Sequence, residues 1–239
     1  MRWHIIEGIQ GCEFAKENEY TAVIVDALRA SCTAAMLFGA GAKDITLLSD
    51  IESALSLKRA NPDILLFGEC DGLPPQGFDH GNSPREVAPA QGKSIAFTTS
   101  NGTALMLEAF GAPELYMASV TNALALVQQV VPNDKDVVLI PAGKVSDPEF
   151  SAQEDWVAAA AIVMLTDHEV GEGVTEFRQW QHMISLDGVA KLFASSPHAE
   201  TLRAINLEDD VAFCAQPNQT QAIPRAYSAT LSSMLLKPA

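Results

Sequence analysis

Apolar, strand-like runs at residues 20–25, 44–48, 64–67, 94–98, 114–117 and 136–140 alternate with helix-forming runs at 29–39, 51–59, 104–108, 121–131 and 151–166. This alternation is the feature that most limits the fold. A strand that returns through a helix pairs with its neighbour in parallel, and a parallel sheet must be covered on both faces because its strands are apolar on both sides. The predicted class is therefore α/β, with a mostly parallel central sheet between helices. Outside the alternating region, residues 1–10 read as a first strand at an edge and 13–19 as a polar connection. Residues 169–216 read as mainly helical, and 223–227 as a last strand or an extended tail. With 239 residues, 48% of them hydrophobic, and no repeat or linker, residues 1–239 are expected to form a single domain.

A formal charge of -15 argues against general nucleic-acid or anionic-membrane binding, which need a basic face to displace counterions. An acidic chain can still take a phosphorylated metabolite where backbone donors, a few cations or a divalent metal reverse the field locally. The start Met1-Arg2-Trp3-His4-Ile5-Ile6-Glu7 lacks a secretion signal and no run is apolar enough to span a bilayer. The expected location is cytoplasmic. Cys12, Cys32, Cys70 and Cys214 are far apart in sequence and read as free thiols.

Three strand-to-helix junctions carry polar residues of the kind that bind anions. In Ile95-Ala96-Phe97-Thr98-Thr99-Ser100-Asn101-Gly102-Thr103 an apolar strand ends in hydroxyl and glycine residues just before a helix, whose first N–H groups favour an anion. The same residues also serve as ordinary caps and turns, which is the commoner outcome for one such junction alone. The second junction, Val25-Asp26-Ala27-Leu28-Arg29, places a carboxylate at a strand end with an arginine three residues later. The third, Gly77-Phe78-Asp79-His80-Gly81-Asn82-Ser83-Pro84, lies in an irregular stretch, 68–90, that also holds Glu69 and Asp71. Loops at the carboxyl ends of parallel strands gather on one edge, so the three are expected to converge. A fourth junction is Pro141-Ala142-Gly143-Lys144. Glu154 and Asp155 fall in the first turn of the 151–166 helix, where acids often serve only the helix dipole.

Other motifs fail. Gly92-Lys93-Ser94 resembles the end of a P-loop, but Val87 stands where the earlier glycine is required and a strand follows. Gly39-x-Gly41 lacks a third glycine, and no Gly-x-Ser-x-Gly occurs. His4, His168, His182 and His198 read as isolated, structural or exposed residues. His80 alone, beside an acid in the loop, keeps a functional reading.

Taken together, residues 25–30, 77–84 and 98–103, extended by Ala142-Gly143 and by Glu149-Phe150-Ser151 leading to Glu154-Asp155, resemble the 2-phosphosulfolactate phosphatase family over most of residues 20–165. The resemblance implies a three-layer α/β/α sandwich and a magnesium-dependent acid phosphatase acting on a phosphorylated sulfonate in coenzyme M biosynthesis. On that basis Asp26, Glu69 and Asp79 are the expected Mg²⁺ ligands. Asn82, Ser83, Thr99, Ser100, Asn101, Gly102, Thr103 and Lys144 are expected to hold the phosphate, with Arg29 gripping two of its oxygens and Arg85 adding positive charge. Asp26, Arg29, Glu154 and Asp155 are the expected catalytic set, Glu154 or Asp155 acting on the attacking water and Asp26 either holding the metal or itself attacking phosphorus. The partner expectations are a small anionic phosphorylated substrate and a homodimer, with neither nucleic acid nor membrane.

Two departures stand out. The family usually carries Gly-Glu-Arg-Gly-Gly where this chain reads Gly68-Glu69-Cys70-Asp71-Gly72, and the spacing from Ser151 to Glu154-Asp155 is one residue longer than expected. A non-catalytic binder of a phosphorylated or sulfonated metabolite is the rival reading, and a purely structural α/β domain is another.

Overall fold

In the computed structural model, which describes residues 1–143, 147 and 150–239, ten strands form one sheet. They are β1 (Arg2–Ile5), β2 (Thr21–Val25), β3 (Asp44–Leu48), β4 (Leu65–Gly68), β5 (Ser94–Thr98), β6 (Leu115–Met117), β7 (Val137–Pro141), β8 (Glu169–Val170), β9 (Pro224–Ala229) and β10 (Ser233–Pro238). The helices are α1 (Gly8–Glu17), α2 (Ala30–Gly39), α3 (Ile51–Ala60), α4 (Gly102–Glu108), α5 (Ala123–Val130), α6 (Gln153–Val163), α7 (Val174–Ala194), α8 (Pro197–Ala204) and α9 (Glu208–Cys214). Among the described residues, no helix is long and apolar enough to cross a membrane. All four cysteines are free thiols.

The strand order is β4-β5-β3-β10-β9-β6-β2-β7-β1-β8. Pairing is parallel within β4-β5-β3 and within β6-β2-β7-β1-β8. The β9–β10 hairpin lies between these two sets and is antiparallel to both. Three antiparallel steps separate the sets, so they run in opposite directions. The sheet is thus mostly parallel, as the alternation predicts, but it is not a single parallel run with one carboxyl edge.

The apolar alternation along each strand sorts side chains into three cores. Val23, Val25, Val137 and Leu139 face α5 to α9 on one side. Leu48, Leu66 and Ala96 face α3 on another. Between them, Ile24 and Ile140 of one parallel set share a central core with Ile45 and Phe97 of the other, filled by Leu37 and Phe38 of α2 and Leu105 and Met106 of α4. Because both sets turn a face to this middle layer, the start of α2 after β2 and the start of α4 after β5 lie side by side despite the opposed strand directions.

The sequence reading differs from the structure in four places. Residues 8–17 form α1 rather than belonging to a strand and a polar connection; only Gly11, Cys12 and Ala15 of it are buried, too narrow a stripe to stand out. β1 lies inside the edge, between β7 and β8. The helix expected to start at Thr121 is α5, preceded by a 3₁₀ turn over Val120–Asn122 in which Ser119 N–H donates to Asn122 Oδ1 at 3.0 Å. The expected single last strand or tail is a hairpin seated mid-sheet, with Leu236 and Met234 in the central core.

Candidate active site

A cavity of about 130 Å³ opens where the turns after β2 and β5 meet α6 and α8. Asp26, Arg29, Glu69, Asn82, Thr99, Ser100, Asn101 and Glu154 all line it. The loops expected to converge do so for these residues, which come from distant parts of the chain.

Asp26 ends β2 in a turn that locks its backbone. Its N–H donates to Ser31 Oγ at 3.0 Å, and Ala30 N–H donates to its Oδ1 at 3.2 Å. The side chain is 8% exposed. Burial pushes the Asp26 carboxyl up to about 6; Glu69 and Glu154 add to the rise, and His198 and the Ala30 N–H oppose it. Gly102, at the start of α4, comes so close that a Cβ there would stand 2.8 Å from Asp26 Oδ2 and 3.0 Å from Ala30 Cβ. A glycine is required by this approach, not by backbone torsion.

The turn after β5 is arranged differently from a free anion cradle. Thr99 Oγ1 accepts from Thr103 N–H at 3.0 Å and lies 3.0 Å from the buried Thr103 hydroxyl, so these two residues brace the first turn of α4. Ser100 N–H and Oγ each donate to Glu69 Oε1 at 2.8 Å, while Glu69 Oε2 accepts from Gly72 N–H at 2.9 Å. The donors expected to receive phosphate are therefore held by Glu69. Gly68 makes this possible: at φ +153° its Cβ would lie 2.4 Å from Thr98 Oγ1, so only glycine lets β4 turn Glu69 across the end of β5.

Arg29 is 3% exposed, and its guanidinium donates to Asp210 Oδ2 and to the Gly72 carbonyl, both at 2.7 Å. Asp210, equally buried in α9, also accepts from Ser83 Oγ at 2.7 Å. Ser83 thus anchors the long loop to α9 and is not among the residues lining the cavity; Arg85 pairs with Asp209 at 3.0 Å.

The two acids of α6 separate. Glu154, 2% exposed, faces the cavity, and its Oε2 is buried without a partner among the described residues. Asn82 Oδ1 is in the same condition. Asp155 turns inward and accepts from Ala27 N–H at 2.7 Å and Gly143 N–H at 3.0 Å, tying together the turns after β2 and β7. Burial, then Glu154 and Asp26, push the Asp155 carboxyl well above the usual carboxylate range.

Asp79 is not brought to this group. Its Oδ2 accepts from Leu66 N–H at 2.8 Å and Lys58 Nζ at 3.0 Å, which holds it beside α3 and away from the carboxyl end of β4. His80 stacks on Phe67 with ring centroids 4.5 Å apart. Lys144, an expected phosphate contact, lies outside the described residues. Two residues that the sequence reading passed over belong to the site: His198, dismissed as isolated, lines the cavity with Nδ1 3.1 Å from Glu154 Oε1, and Asp210 orients Arg29. Neither has a local signal, since each acquires its role from a partner on another element.

An α/β sandwich whose strand-end turns enclose carboxylates, hydroxyls and amides in one cavity defines an enzyme-type fold with a site for a small polar ligand. Comparison with known proteins makes this specific. The family model described as 2-phosphosulpholactate phosphatase matches residues 5–228. A protein of Carboxydothermus hydrogenoformans named "Probable 2-phosphosulfolactate phosphatase" is 32% identical over 216 residues, 90% of each chain. Another of the same name, from Symbiobacterium thermophilum, is 34% identical over 217 residues, covering 85% of this chain and 89% of its own. A third, from Thermoplasma acidophilum, is 31% identical over 205 residues, 84% of each. The chain belongs to the 2-phosphosulfolactate phosphatase family, a family of phosphoric monoester hydrolases.

Proposed function

We propose that this chain hydrolyses a phosphate monoester, 2-phosphosulfolactate or a related phosphorylated 2-hydroxy acid, to the hydroxy acid and inorganic phosphate, with Mg²⁺ as cofactor. The observation that carries this reading is the shared cavity of Asp26, Ser100, Asn101 and Glu154 in a chain of this family.

The donor set suits a hard cation. Mg²⁺ prefers oxygen ligands, keeps several waters, and is commonly held by one or two carboxylates together with substrate phosphate. Asp26 and Glu69 are the carboxylates assigned to it. The elevated pKa of Asp26, due to burial and then to Glu69 and Glu154 beside it, reflects negative charge that a cation would offset. Among the described residues no three His, Cys, Asp or Glu side chains gather into a metal cage, so the protein would supply few of the ligands. When bound, the ion would neutralise charge on the phosphoryl oxygens.

The remaining roles fall to the chain itself. Asn101 positions the phosphoryl group at the start of α4, with Asn82 across the cavity, while Ser100 stays bound to Glu69 and fixes that carboxylate. Arg29, held by Asp210, contributes a fixed positive charge close to Asp26. Glu154 Oε2 accepts a proton from the attacking water, whose oxygen forms the new bond to phosphorus. Asp155 is a positioning residue that keeps the Ala27 and Gly143 turns in register.

The test is phosphate release from a panel of phosphorylated 2-hydroxy acids and sulfonates, with chelator and with Mg²⁺ restored. The expected result is release from at least one member that stops in chelator and returns with Mg²⁺. Calorimetric binding of a panel member without release under Mg²⁺ would leave a binding protein instead.

A further inference from the structure

His198 stands in the first turn of α8, and its ring lines the same cavity as Asp26 and Glu154. Nδ1 is engaged by Glu154 Oε1 at 3.1 Å. The Phe150 ring meets the imidazole edge-on, with centroids 6.3 Å apart. Nε2 has no partner among the described residues, and the side chain is 31% exposed. An imidazole held by a carboxylate at one nitrogen and open to a cavity at the other is built to pass a proton. A histidine that only anchored α8 to α6 would have no need to face the cavity.

We propose that His198 is the general acid of the reaction, donating the Nε2 proton to the ester oxygen as the alcohol leaves. The inference rests on the phosphatase reading. In the step, the bond from phosphorus to the ester oxygen breaks and its electron pair stays on that oxygen, which the Nε2 proton completes as a hydroxyl. Water supplies the new oxygen on phosphorus, and its proton goes to Glu154. The neutral imidazole regains a proton from solvent, and Glu154 returns one to it. The charged groups facing the ring are Glu154 from α6, Asp26 from the end of β2 and Arg29 from the turn before α2. Burial and Arg29 disfavour the imidazolium, but Glu154 and Asp26 outweigh them and raise the His198 pKa above its usual value.

The leaving group separates this role from a structural one. A secondary alkoxide is a poor leaving group that needs a proton, whereas 4-nitrophenolate departs without one. We expect His198→Asn to lower kcat/KM about 100-fold or more for 2-phosphosulfolactate, the scale of lost general-acid catalysis, and only a few-fold for 4-nitrophenyl phosphate. In the wild type, kcat for the alkyl ester should fall above the His198 pKa, with no matching fall for the aryl ester. This second measurement applies even if the variant does not fold. Equal losses on both esters, or identical alkaline limbs, would overturn the role while leaving the phosphatase reading intact. Wild-type turnover of the aryl ester alone would also overturn it. Release of phosphate from no member of the panel and from neither ester under Mg²⁺ would remove the phosphatase reading and this role together.

Discussion

Substituting Gly102 by alanine sets a gain in helix stability against a loss of site geometry. At the first residue of α4 the change to alanine is intrinsically favourable by about 1 kcal/mol. The added methyl, however, would lie 2.8 Å from Asp26 Oδ2 and 3.0 Å from Ala30 Cβ. To restore an ordinary contact of 3.4 Å the carboxylate must retreat by roughly 0.6 Å. Its other oxygen is held by Ala30 N–H at 3.2 Å, so the retreat strains or breaks that bond. Overpacking of this kind costs about 1–3 kcal/mol, leaving a net destabilisation of roughly 0–2 kcal/mol and a Tm lowered by no more than about 8 °C for a chain of this size. The effect on turnover is larger, because a displacement approaching 1 Å at a reacting group costs up to about 100-fold. Phosphate-release kinetics and a thermal melt on the same sample provide the assay. A variant with wild-type kcat/KM and wild-type Tm would show that Asp26 does not need its observed position, and the reasoning about the β2 and β5 turns would fail.

Two further predictions concern the buried charges. The folded-state pKa of Asp26 is raised from 3.8 to about 6, so between those values the folded state binds more protons than the unfolded one. The contribution of Asp26 to stability therefore declines as pH rises through that window and is constant above it. Asp26→Asn should remove this decline and raise stability by about 1–3 kcal/mol at pH 8 in metal-free buffer, while abolishing activity. Urea unfolding of both proteins at pH 4 and pH 8 checks the sign, and an unchanged pH dependence in the variant refutes it. Asp210→Ala should leave the Arg29 guanidinium buried without its carboxylate, at a cost of about 3–5 kcal/mol. A melt within 2 °C of wild type, roughly the shift from 1 kcal/mol or less, would show that Arg29 has another partner of equal strength.

Much of the architecture was legible along the chain because it rests on local chemistry. Runs such as Thr21–Val25 and Val137–Pro141 are apolar on both faces, and the structure buries both faces in different cores. Either Ser49 or Asp50, just ahead of the 51–59 run, can cap α3 by residue type, and Asp50 does so, accepting from Ser53 N–H at 2.7 Å. Asp26, Glu69, Asn82, Ser100 and Asn101 stand out as polar residues at strand ends and in the long loop, Glu154 is a candidate only through the family resemblance, and the structure gathers all six around one cavity. What was not legible depends on partners far away in sequence. Met234 and Leu236 lie beyond the last run singled out at 223–227 and join the core only because β10 pairs with β3, nearly two hundred residues earlier. His198 sits 44 residues from Glu154, and Asp210 lies 181 from Arg29.

By itself the sequence determined the class of fold, the elements that carry polar residues, and an acidic surface that requires any anion site to be assembled locally. Local propensity and side-chain periodicity act over a few residues, and those properties need nothing more. Tertiary structure alone decided that the two parallel sets oppose each other across the β9–β10 hairpin, that Glu69 rather than solvent holds the Ser100 donors, and that Asp79 stays beside Lys58. It also separated Glu154 from Asp155, adjacent in sequence, sending one to the cavity and the other to the backbone of two turns. These outcomes depend on which distant surfaces pack together, because burial and charge pairing are settled by neighbours in space and not by neighbours in the chain.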